Sequence, residues 1–233
     1  MHEHTYKAFD ADIDGMRSTV LAMGGLVEKQ FTRAIDAVEY SDLRLISLVL
    51  TDEVTVNQYH LQSDLLCNQI LARRQPFAID LREVIGAIHT INDLERVGDE
   101  AKKIALKARD LDQHVGRGTL PFARVRLMAE LVGKMLEAAL DAFVRHDTSA
   151  ADKLLADDTK VDALRDSLNE ELMGKMASDP ATVSAAMDMV FVVQSIERVG
   201  DHAKNIAEYV VNVVEGIDMR HSSSESAAAG KTS

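Results

Sequence analysis

Two copies of one acidic pentapeptide are the part of the sequence best suited to chemistry. Residues 95–99 and residues 197–201 both read Glu-Arg-Val-Gly-Asp, and they lie 197 − 95 = 102 residues apart. The likeness extends beyond the five residues, because nine of eleven positions are identical between residues 95–105 and residues 197–207. A match of that density indicates an internal duplication.

The glutamate and the aspartate of each copy are four residues apart, which places both carboxylates on one face of a helix. Two adjacent like charges destabilise a helix by about 0.2–0.5 kcal/mol, and the central glycine costs about 0.5–1 kcal/mol more than alanine would. Glu95 and Glu197 also follow apolar residues by one and two helical turns, at the edge of a buried stripe. A cation held between helices would offset these costs, and the duplication favours it over the plainer alternative of a solvated acidic pair.

The preceding helix of each half carries a second pair with the same spacing. Consecutive helices joined by short turns pack antiparallel, so this pair can face the pentapeptide. The predicted metal ligands are Glu53, Asn57, Glu95 and Asp99 in the first half and Asp158, Asp162, Glu197 and Asp201 in the second. Such all-oxygen sites suit divalent or trivalent ions such as magnesium, manganese or iron. The alternative is that the pairs on the preceding helices only cap those helices or are solvated.

The composition excludes several classes of protein. A formal net charge of −12 argues against wrapping nucleic acid or lying directly on anionic lipid, since both need dense positive charge. The single cysteine, Cys67, offers neither a disulfide nor a thiolate metal site and indicates a reducing compartment. The first residues lack the pattern of a signal peptide, and no stretch approaches 18 uncharged apolar residues. We therefore expect a cytoplasmic protein that does not insert into a membrane.

Apolar periodicity predicts an all-α fold, because the chain is 46% apolar and holds only three prolines. Pro76 ends one helix, and the Gly116, Gly118 and Pro121 cluster marks a boundary. The six predicted helices cover about residues 6–38, 43–73, 79–111, 122–144, 148–176 and 180–215. They group into two tandem antiparallel three-helix bundles, residues 6–111 and 122–215, joined by a linker at 112–121 and followed by a disordered tail at 221–233.

Other clusters offer little chemistry. Asp80 is placed to stabilise the start of the third helix, and Arg73 and Arg74 beside it could form a patch facing a partner. No histidine follows a glutamate by three residues, the spacing on which ferritin-like di-iron sites are built. His202 could add a ligand in the second half only, although a satisfied or exposed histidine is the plainer interpretation. No nucleophile elbow or phosphate-cradling loop is present, so we expect no enzymatic activity.

These motifs together resemble the PhoU family over about residues 6–215. The resemblance is carried by two tandem three-helix halves, each with an acidic pair on its second helix and Glu-Arg-Val-Gly-Asp on its third. It is also carried by residues 74–82, which read Arg-Gln-Pro-Phe-Ala-Ile-Asp-Leu-Arg. Asn57 departs from the symmetric pattern, because the second half has Asp162 there, so the first site is expected to bind more weakly or hold fewer ions.

The resemblance implies a function that composition and spacing do not. In that family the acidic motifs bind metal ions, often as multinuclear clusters, on the surface of each bundle. The proteins are negative regulators of the phosphate-starvation response and modulate phosphate uptake. They lie between the ATPase subunit of the phosphate ABC transporter and a sensor histidine kinase, peripheral to the inner face of the membrane. A homodimer is left open, and the alternatives are a di-iron helical-bundle enzyme and a purely structural scaffold.

Overall fold

The computed structural model describes residues 2–217, with side chains from Ala8 onward, and this part of the chain is all-α as predicted. The tail predicted at 221–233 lies outside the described residues. Six α-helices and two short 3-10 turns follow one another without a strand between residues 2 and 217. The helices are α1 (His2–Tyr40), α2 (Leu43–Arg74), α3 (Ile79–Leu111), α4 (Phe122–Arg145), α5 (Ala150–Ser178) and α6 (Val183–Glu215), and the turns are Arg117–Thr119 and Pro180–Thr182.

Aspartate side chains cap three of the turns and helices. Asp42 Oδ1 accepts a hydrogen bond from the Arg44 backbone N–H at 2.8 Å and so caps the start of α2. Asp147 caps the turn before α5 in the same manner. The predicted start of the sixth helix at Pro180 is wrong, because Asp179 accepts from Ala181 and caps a 3-10 turn instead. The α-helix begins only at Val183, where the i−4 bonding pattern takes over.

Each half is an antiparallel three-helix bundle. In the first half α1 packs against both α2 and α3, and in the second half α6 packs against both α4 and α5. With few aromatic residues available, methionines and small aliphatic side chains fill the interior. The fully buried methionines include Met16, Met23 and Met128.

The two halves share one hydrophobic core, in which α3 and α6 make the broadest contact. Arg82 Nε donates to the Val213 carbonyl oxygen at 3.0 Å at one end of this pair, and Lys107 Nζ donates to Asp188 at 2.7 Å at the other. Rising numbers on α3 meet falling numbers on α6, so the two helices run antiparallel. The predicted linker is packed as well, since Arg117 donates to a carbonyl oxygen of α1 at 2.9 Å. The division into domains at 6–111 and 122–215 stays a prediction.

The α3–α6 contact has an internal twofold pseudosymmetry. Asp93 on α3 meets His202 on α6, with 2.6 Å between Oδ1 and Nδ1, and the Glu100 carboxyl on α3 lies beside Ser195 on α6. These pairs are equivalent by the repeat, because 93 + 102 = 195 and 100 + 102 = 202. The duplicated helices therefore face each other, and position 100 differs from position 202 because the two meet different partners.

Candidate metal centres

The second half brings its four predicted ligands together on neighbouring helices. Asp158 and Asp162 project from α5, and Glu197 and Asp201 from the middle of α6, whose antiparallel packing aligns the two pairs. Within the cluster the charges of Asp201 and Asp162 both act on the Glu197 carboxyl. The structure thus brings the four carboxylates to one seam between two helices.

Two basic side chains bridge these carboxylates in pairs. Arg165 Nη1 lies 2.8 Å from Asp162 Oδ1 and also donates to Glu197 across the helix interface. Lys204 Nζ lies 2.6 Å from Asp158 Oδ2 and 3.3 Å from Asp201 Oδ1. Four carboxylates against two cations leave a formal charge of 2 − 4 = −2 on the cluster. The cluster is therefore partly neutralised by its own chain.

The pKa values of Glu197 and Lys204 reflect the opposing effects of burial and of the neighbouring charges. Burial first, and then the charge of Asp201, raise the pKa of Glu197 above its ordinary value in spite of the Arg165 hydrogen bond. For Lys204 burial acts to lower the pKa, but the hydrogen bond and charge of Asp158 outweigh it and the net pKa is raised. The seam therefore disfavours an ionised Glu197 and favours any nearby positive charge.

The first half assembles its site less completely. Glu53 is buried, and its carboxylate accepts from Gln30 Nε2 at 3.1 Å and from Asn57 Nδ2 at 3.3 Å. Lys102 Nζ lies 3.7 Å from Glu53 Oε1, as Lys204 lies near Asp158 in the second half. Asn57 thus acts as a donor to Glu53 and turns its amide nitrogen toward the carboxylate.

The pentapeptide carboxylates of α3 stay separate from the pair on α2. Glu95 is half-buried beside Arg96, with 3.6 Å between Oε2 and Nε. Asp99 is half-buried too, and within residues 8–217 no hydrogen bond or ion pair links it or Glu95 to Glu53 or Asn57. The first half therefore carries the predicted ligand residues, but no hydrogen bond or ion pair joins the pair on α3 to the pair on α2 within the described residues.

The pentapeptide glycine lets neighbouring side chains approach the helix axis. A Cβ placed on Gly98 would lie 3.2 Å from Gln30 Oε1, Glu53 Oε2 and Val56 Cγ1. At Gly200 the nearest atom would be 3.5 Å away, on Val132 of α4. The groups that approach these glycines are side chains of the two other helices of each half.

The oxygen atoms of both sites suit a hard metal cation. In the observed conformation, however, basic side chains lie beside the carboxylates. Among the described residues no three acidic, histidine or cysteine side chains are arranged to hold a metal ion. Gln30 Oε1 is buried without a hydrogen-bond partner beside Glu53 in the first site, so one oxygen there remains available. In this conformation Arg165 and Lys204 in the second half, and Lys102 in the first, lie beside the carboxylates that a metal ion would use.

Sequence reasoning missed the bridging cations and Gln30. Lys102 and Lys204 were visible as a repeated residue three positions after each aspartate, a spacing that pairs side chains on a helix. Gln30 carried no such signal, because it reaches Glu53 from α1. His202 adds no ligand to the second site, since its ring pairs with Asp93 at the α3–α6 contact.

Comparison with known proteins places this geometry in a family. Residues 20–108 and 125–210 each match the PhoU domain, so both repeats are covered. A Pseudomonas aeruginosa protein named phosphate-specific transport system accessory protein PhoU homolog is 40% identical over 218 residues, which is 94% of this chain and 90% of that protein. The chain belongs to the PhoU family. An Escherichia coli member, named phosphate-specific transport system accessory protein PhoU, is 34% identical over 221 residues, covering 95% of this chain and 91% of its own length.

Solved PhoU structures share the six-helix fold. The crystal structure of PhoU from Pseudomonas aeruginosa superposes with a TM-score of 0.85 at 40% identity, covering 90% of this chain and 100% of that one. The phosphate transport system regulatory protein PhoU from Streptococcus pneumoniae gives a TM-score of 0.83 at 26% identity, covering 91% and 99%. Among the described residues of the present PhoU-family chain, no helix combines the length and apolar character that crossing a bilayer requires.

Proposed function

We propose that the chain is a non-enzymatic adaptor of phosphate transport. It links the ATPase subunit of the phosphate ABC transporter to a sensor histidine kinase and keeps the phosphate-starvation response repressed while phosphate is plentiful. The observation that carries the proposal is the match of both repeats to the PhoU domain, with relatives along nearly the whole chain named as accessory proteins of phosphate transport. In this role the protein is cytoplasmic and reaches the inner face of the membrane through its partners.

The charge of the chain supports docking on basic surfaces. A net charge of −12 favours encounter with positively charged cytoplasmic parts of a transporter or kinase. Exposed charges are screened over about 8 Å at physiological ionic strength. Association with both partners should therefore weaken as salt is added.

The adaptor role is tested in a deletion strain that carries a starvation-promoter reporter. Loss of the protein should leave the promoter active in phosphate-rich medium, and the full-length chain should restore repression. A pull-down from cell extract should recover the transporter ATPase and the kinase. Normal repression in the deletion strain, with neither partner recovered, would exclude the proposal.

We also propose that the acidic seams hold divalent or trivalent metal ions. In the second half Asp158, Asp162, Glu197 and Asp201 would be the ligands, and the ion would supply the positive charge that Arg165 and Lys204 now supply. The raised pKa of Glu197, caused first by burial and then by Asp201, supports this role because a nearby cation would relieve it. Iron, manganese and magnesium are all compatible with oxygen ligands.

Metal content separates a metal site from a solvated acidic cluster. Protein purified without chelator should contain metal, and the double change Glu197→Ala and Asp201→Ala should remove the portion held by the second half. The matched control is Glu137→Ala with Asp141→Ala, which deletes two exposed carboxylates at the same spacing on α4. Equal metal content in all three proteins would rule out the assignment.

Because Asn57 stands in the first site where the second has an aspartate, the two sites should differ in their affinity for metal. The first site has three carboxylates among its four ligands and the second has four, so the first should bind a divalent ion more weakly. Asn57→Asp should strengthen it. Because the halves share one core, calorimetric titration is made on the whole chain, with the second site removed by the double change above. Unchanged affinity after Asn57→Asp would show that this residue is not a ligand.

A further inference from the structure

An open cavity of about 220 Å³ lies between α3 and α6. Three basic side chains line it, Lys103 and Lys107 of α3 and Arg198 of α6, together with the aromatic ring of Phe191. None of the described residues that line it is acidic. In a chain with a net charge of −12, a cavity lined by three cations and no carboxylate favours an anionic ligand.

Two of the cations converge on one carboxylate from different helices. Lys103 Nζ lies 2.8 Å and Arg198 Nη1 lies 3.5 Å from Glu100 Oε1, so these two nitrogens are at most 2.8 + 3.5 = 6.3 Å apart. Glu100 is buried, whereas the side chains of Lys103 and Arg198 are 53% and 51% exposed. Two cations against one carboxylate leave an excess of one positive charge, within reach of a single phosphate group on the solvent side.

The third cation borders an exposed aromatic ring. Lys107 Nζ lies 5.1 Å from the centroid of the Phe191 ring, and its charge is balanced by Asp188 at 2.7 Å and Asp110 at 3.6 Å. Phe191 nevertheless stays 47% exposed. The cavity therefore places an open aromatic surface beside the excess positive charge of Lys103 and Arg198.

The other copy of the repeat shows what packs against a ring at this position. The residues equivalent to Phe191 and Lys107 are His89 and Tyr209, because 191 − 102 = 89 and 107 + 102 = 209. Their rings are stacked, with centroids 4.9 Å apart and planes 24° apart. Phe191 receives no such ring from Lys107. A planar ring brought by a ligand would give Phe191 the stacking contact that Tyr209 gives to His89.

The basic charges are also particular to this end of the α3–α6 contact. The positions equivalent to Lys103 and Lys107 hold Asn205 and Tyr209, and of the three cations only Arg198 has a basic counterpart, Arg96. The duplicated helices pack on each other at both ends of the contact. Their packing therefore does not require the lysines that line the cavity.

We propose that this cavity binds a nucleotide, with a phosphate group held by Lys103 and Arg198 and the base stacked on Phe191. The phosphate accepts charge-assisted hydrogen bonds from the two cations, and the base supplies the missing ring. Gln194 and Ser195, which also line the cavity, offer an amide and a hydroxyl to polar groups of the base or sugar. The inference goes beyond the adaptor and the metal sites proposed above and depends on neither.

Isothermal titration calorimetry of the whole chain with AMP, adenosine and inorganic phosphate tests the two parts of the site. Chelator is present throughout, so that no metal ion in the acidic seams binds the phosphate instead. AMP should bind with a Kd of roughly 0.1 mM. Adenosine and phosphate should each bind at least about tenfold more weakly, because each makes only one of the two contacts.

AMP that does not bind at millimolar concentration, or that binds no better than adenosine or phosphate alone, would overturn the proposal. This includes the case in which the cavity holds an acidic segment of a partner protein.

Arg198→Gln tests the phosphate contact. The change should raise the Kd for AMP at least about tenfold, and Arg198→Lys, which keeps the charge, should restore most of the affinity. The matched control is Arg96→Gln, the same change at the equivalent arginine of the other repeat, which should leave the Kd as it is in the wild type. An unchanged Kd in Arg198→Gln, or an equal loss in Arg96→Gln, would reject the site.

Phe191→Leu tests the stacking contact, because leucine keeps an apolar side chain but has no ring. The Kd for AMP should rise about three- to tenfold, while the Kd for inorganic phosphate should stay the same. Circular dichroism checks that the variant folds like the wild type. A folded variant that weakens both ligands equally, or neither, would contradict the placement of the base on Phe191.

Discussion

At the second acidic seam, Arg165 and Lys204 supply the positive charge between the carboxylates. The sequence predicts a metal ion in that role. Each lies between a carboxylate of α5 and a carboxylate of α6, and each is long enough to swing out to solvent. A divalent ion entering the seam would replace two monovalent side chains and release both. The helix pair is therefore joined by side chains of the chain itself.

The substitution Glu197→Gln should raise the melting temperature of the metal-free protein at neutral pH. Burial and the charge of Asp201 raise the pKa of Glu197, so ionising it costs more in the folded than in the unfolded chain. Such a group contributes full stability below its unfolded pKa and loses it as the pH rises through the folded pKa. The gain from glutamine, which can still accept from Arg165, should vanish below the ordinary glutamate pKa of about 4.3 and grow as the pH rises through the raised pKa of Glu197.

Thermal denaturation in the presence of chelator, followed by circular dichroism at several pH values, measures this gain. Glu95→Gln is the matched control. It removes the glutamate that corresponds to Glu197, but in the first half the position of Asp162 is held by the uncharged Asn57. A melting temperature that falls at neutral pH, or a gain that persists unchanged in acid, would contradict the electrostatic argument.

The two pentapeptide glycines should respond differently to alanine. Gly200→Ala should stabilise the chain by about 0.5–1 kcal/mol, because alanine is the better helix former and its methyl group fits at 3.5 Å. Gly98→Ala should gain less, since three side-chain atoms at 3.2 Å must shift and two of them belong to Gln30 and Glu53. Urea unfolding of both variants compares the free energies directly. A larger gain at position 98 would show that its neighbours are not held in place.

Part of the candidate site could be predicted from the sequence and part could not. The four-residue spacing and the repeat placed Asp158, Asp162, Glu197 and Asp201 on one seam, because both rules act along the helix. Whether a carboxylate meets a cation depends on the rotation of one helix against another. That is why Arg165 reaching Glu197 and Gln30 reaching Glu53 became visible only in three dimensions.

At the scale of elements, the crossing of α3 and α6 depends on a close backbone approach. A Cβ on Gly86 would lie 2.6 Å from Val213 Cγ2. Gly86→Ala should therefore destabilise the protein by about 1–3 kcal/mol, the usual effect of forcing a methyl group into a packed interface. Gly133→Ala is the matched control, since nothing lies within 4 Å of its Cβ position and it should be neutral or stabilising. Urea denaturation measures both, and equal stability of the two variants would refute the crossing geometry.

The helices themselves were predictable because their signals are local. The third helix was predicted at 79–111 and observed at Ile79–Leu111, since Pro76 ends the helix before it and the apolar period runs unbroken through it. The pairing of α3 with α6 was not predicted. It depends on the face that each half leaves uncovered, and two helices separated by a repeat of 102 residues give no short-range signal of contact.

At the scale of the whole molecule, the shared core predicts that the halves depend on each other. Residues 1–114 expressed alone would expose the side of α3 that α6 covers, around Gly86 and Asp93, and so lose part of their buried apolar surface. Each half should melt below the intact chain, and mixing the halves should raise the melting temperature. Circular dichroism of the fragments and of their mixture tests this. A first half that melts like the whole chain would make the halves independent domains.

The carboxylates on the α6-facing side of α3 have a consequence during synthesis. The chain completes α3 at Leu111 and α6 at Glu215, a difference of 215 − 111 = 104 residues. At about 5–20 residues per second, the ribosome leaves α3 without its partner helix for roughly 5–20 s. Asp93 and Glu100, buried in the finished protein, are hydrated and charged during that interval. Two negative charges on this unfinished face disfavour contact between the same faces of two neighbouring nascent chains, because like charges repel.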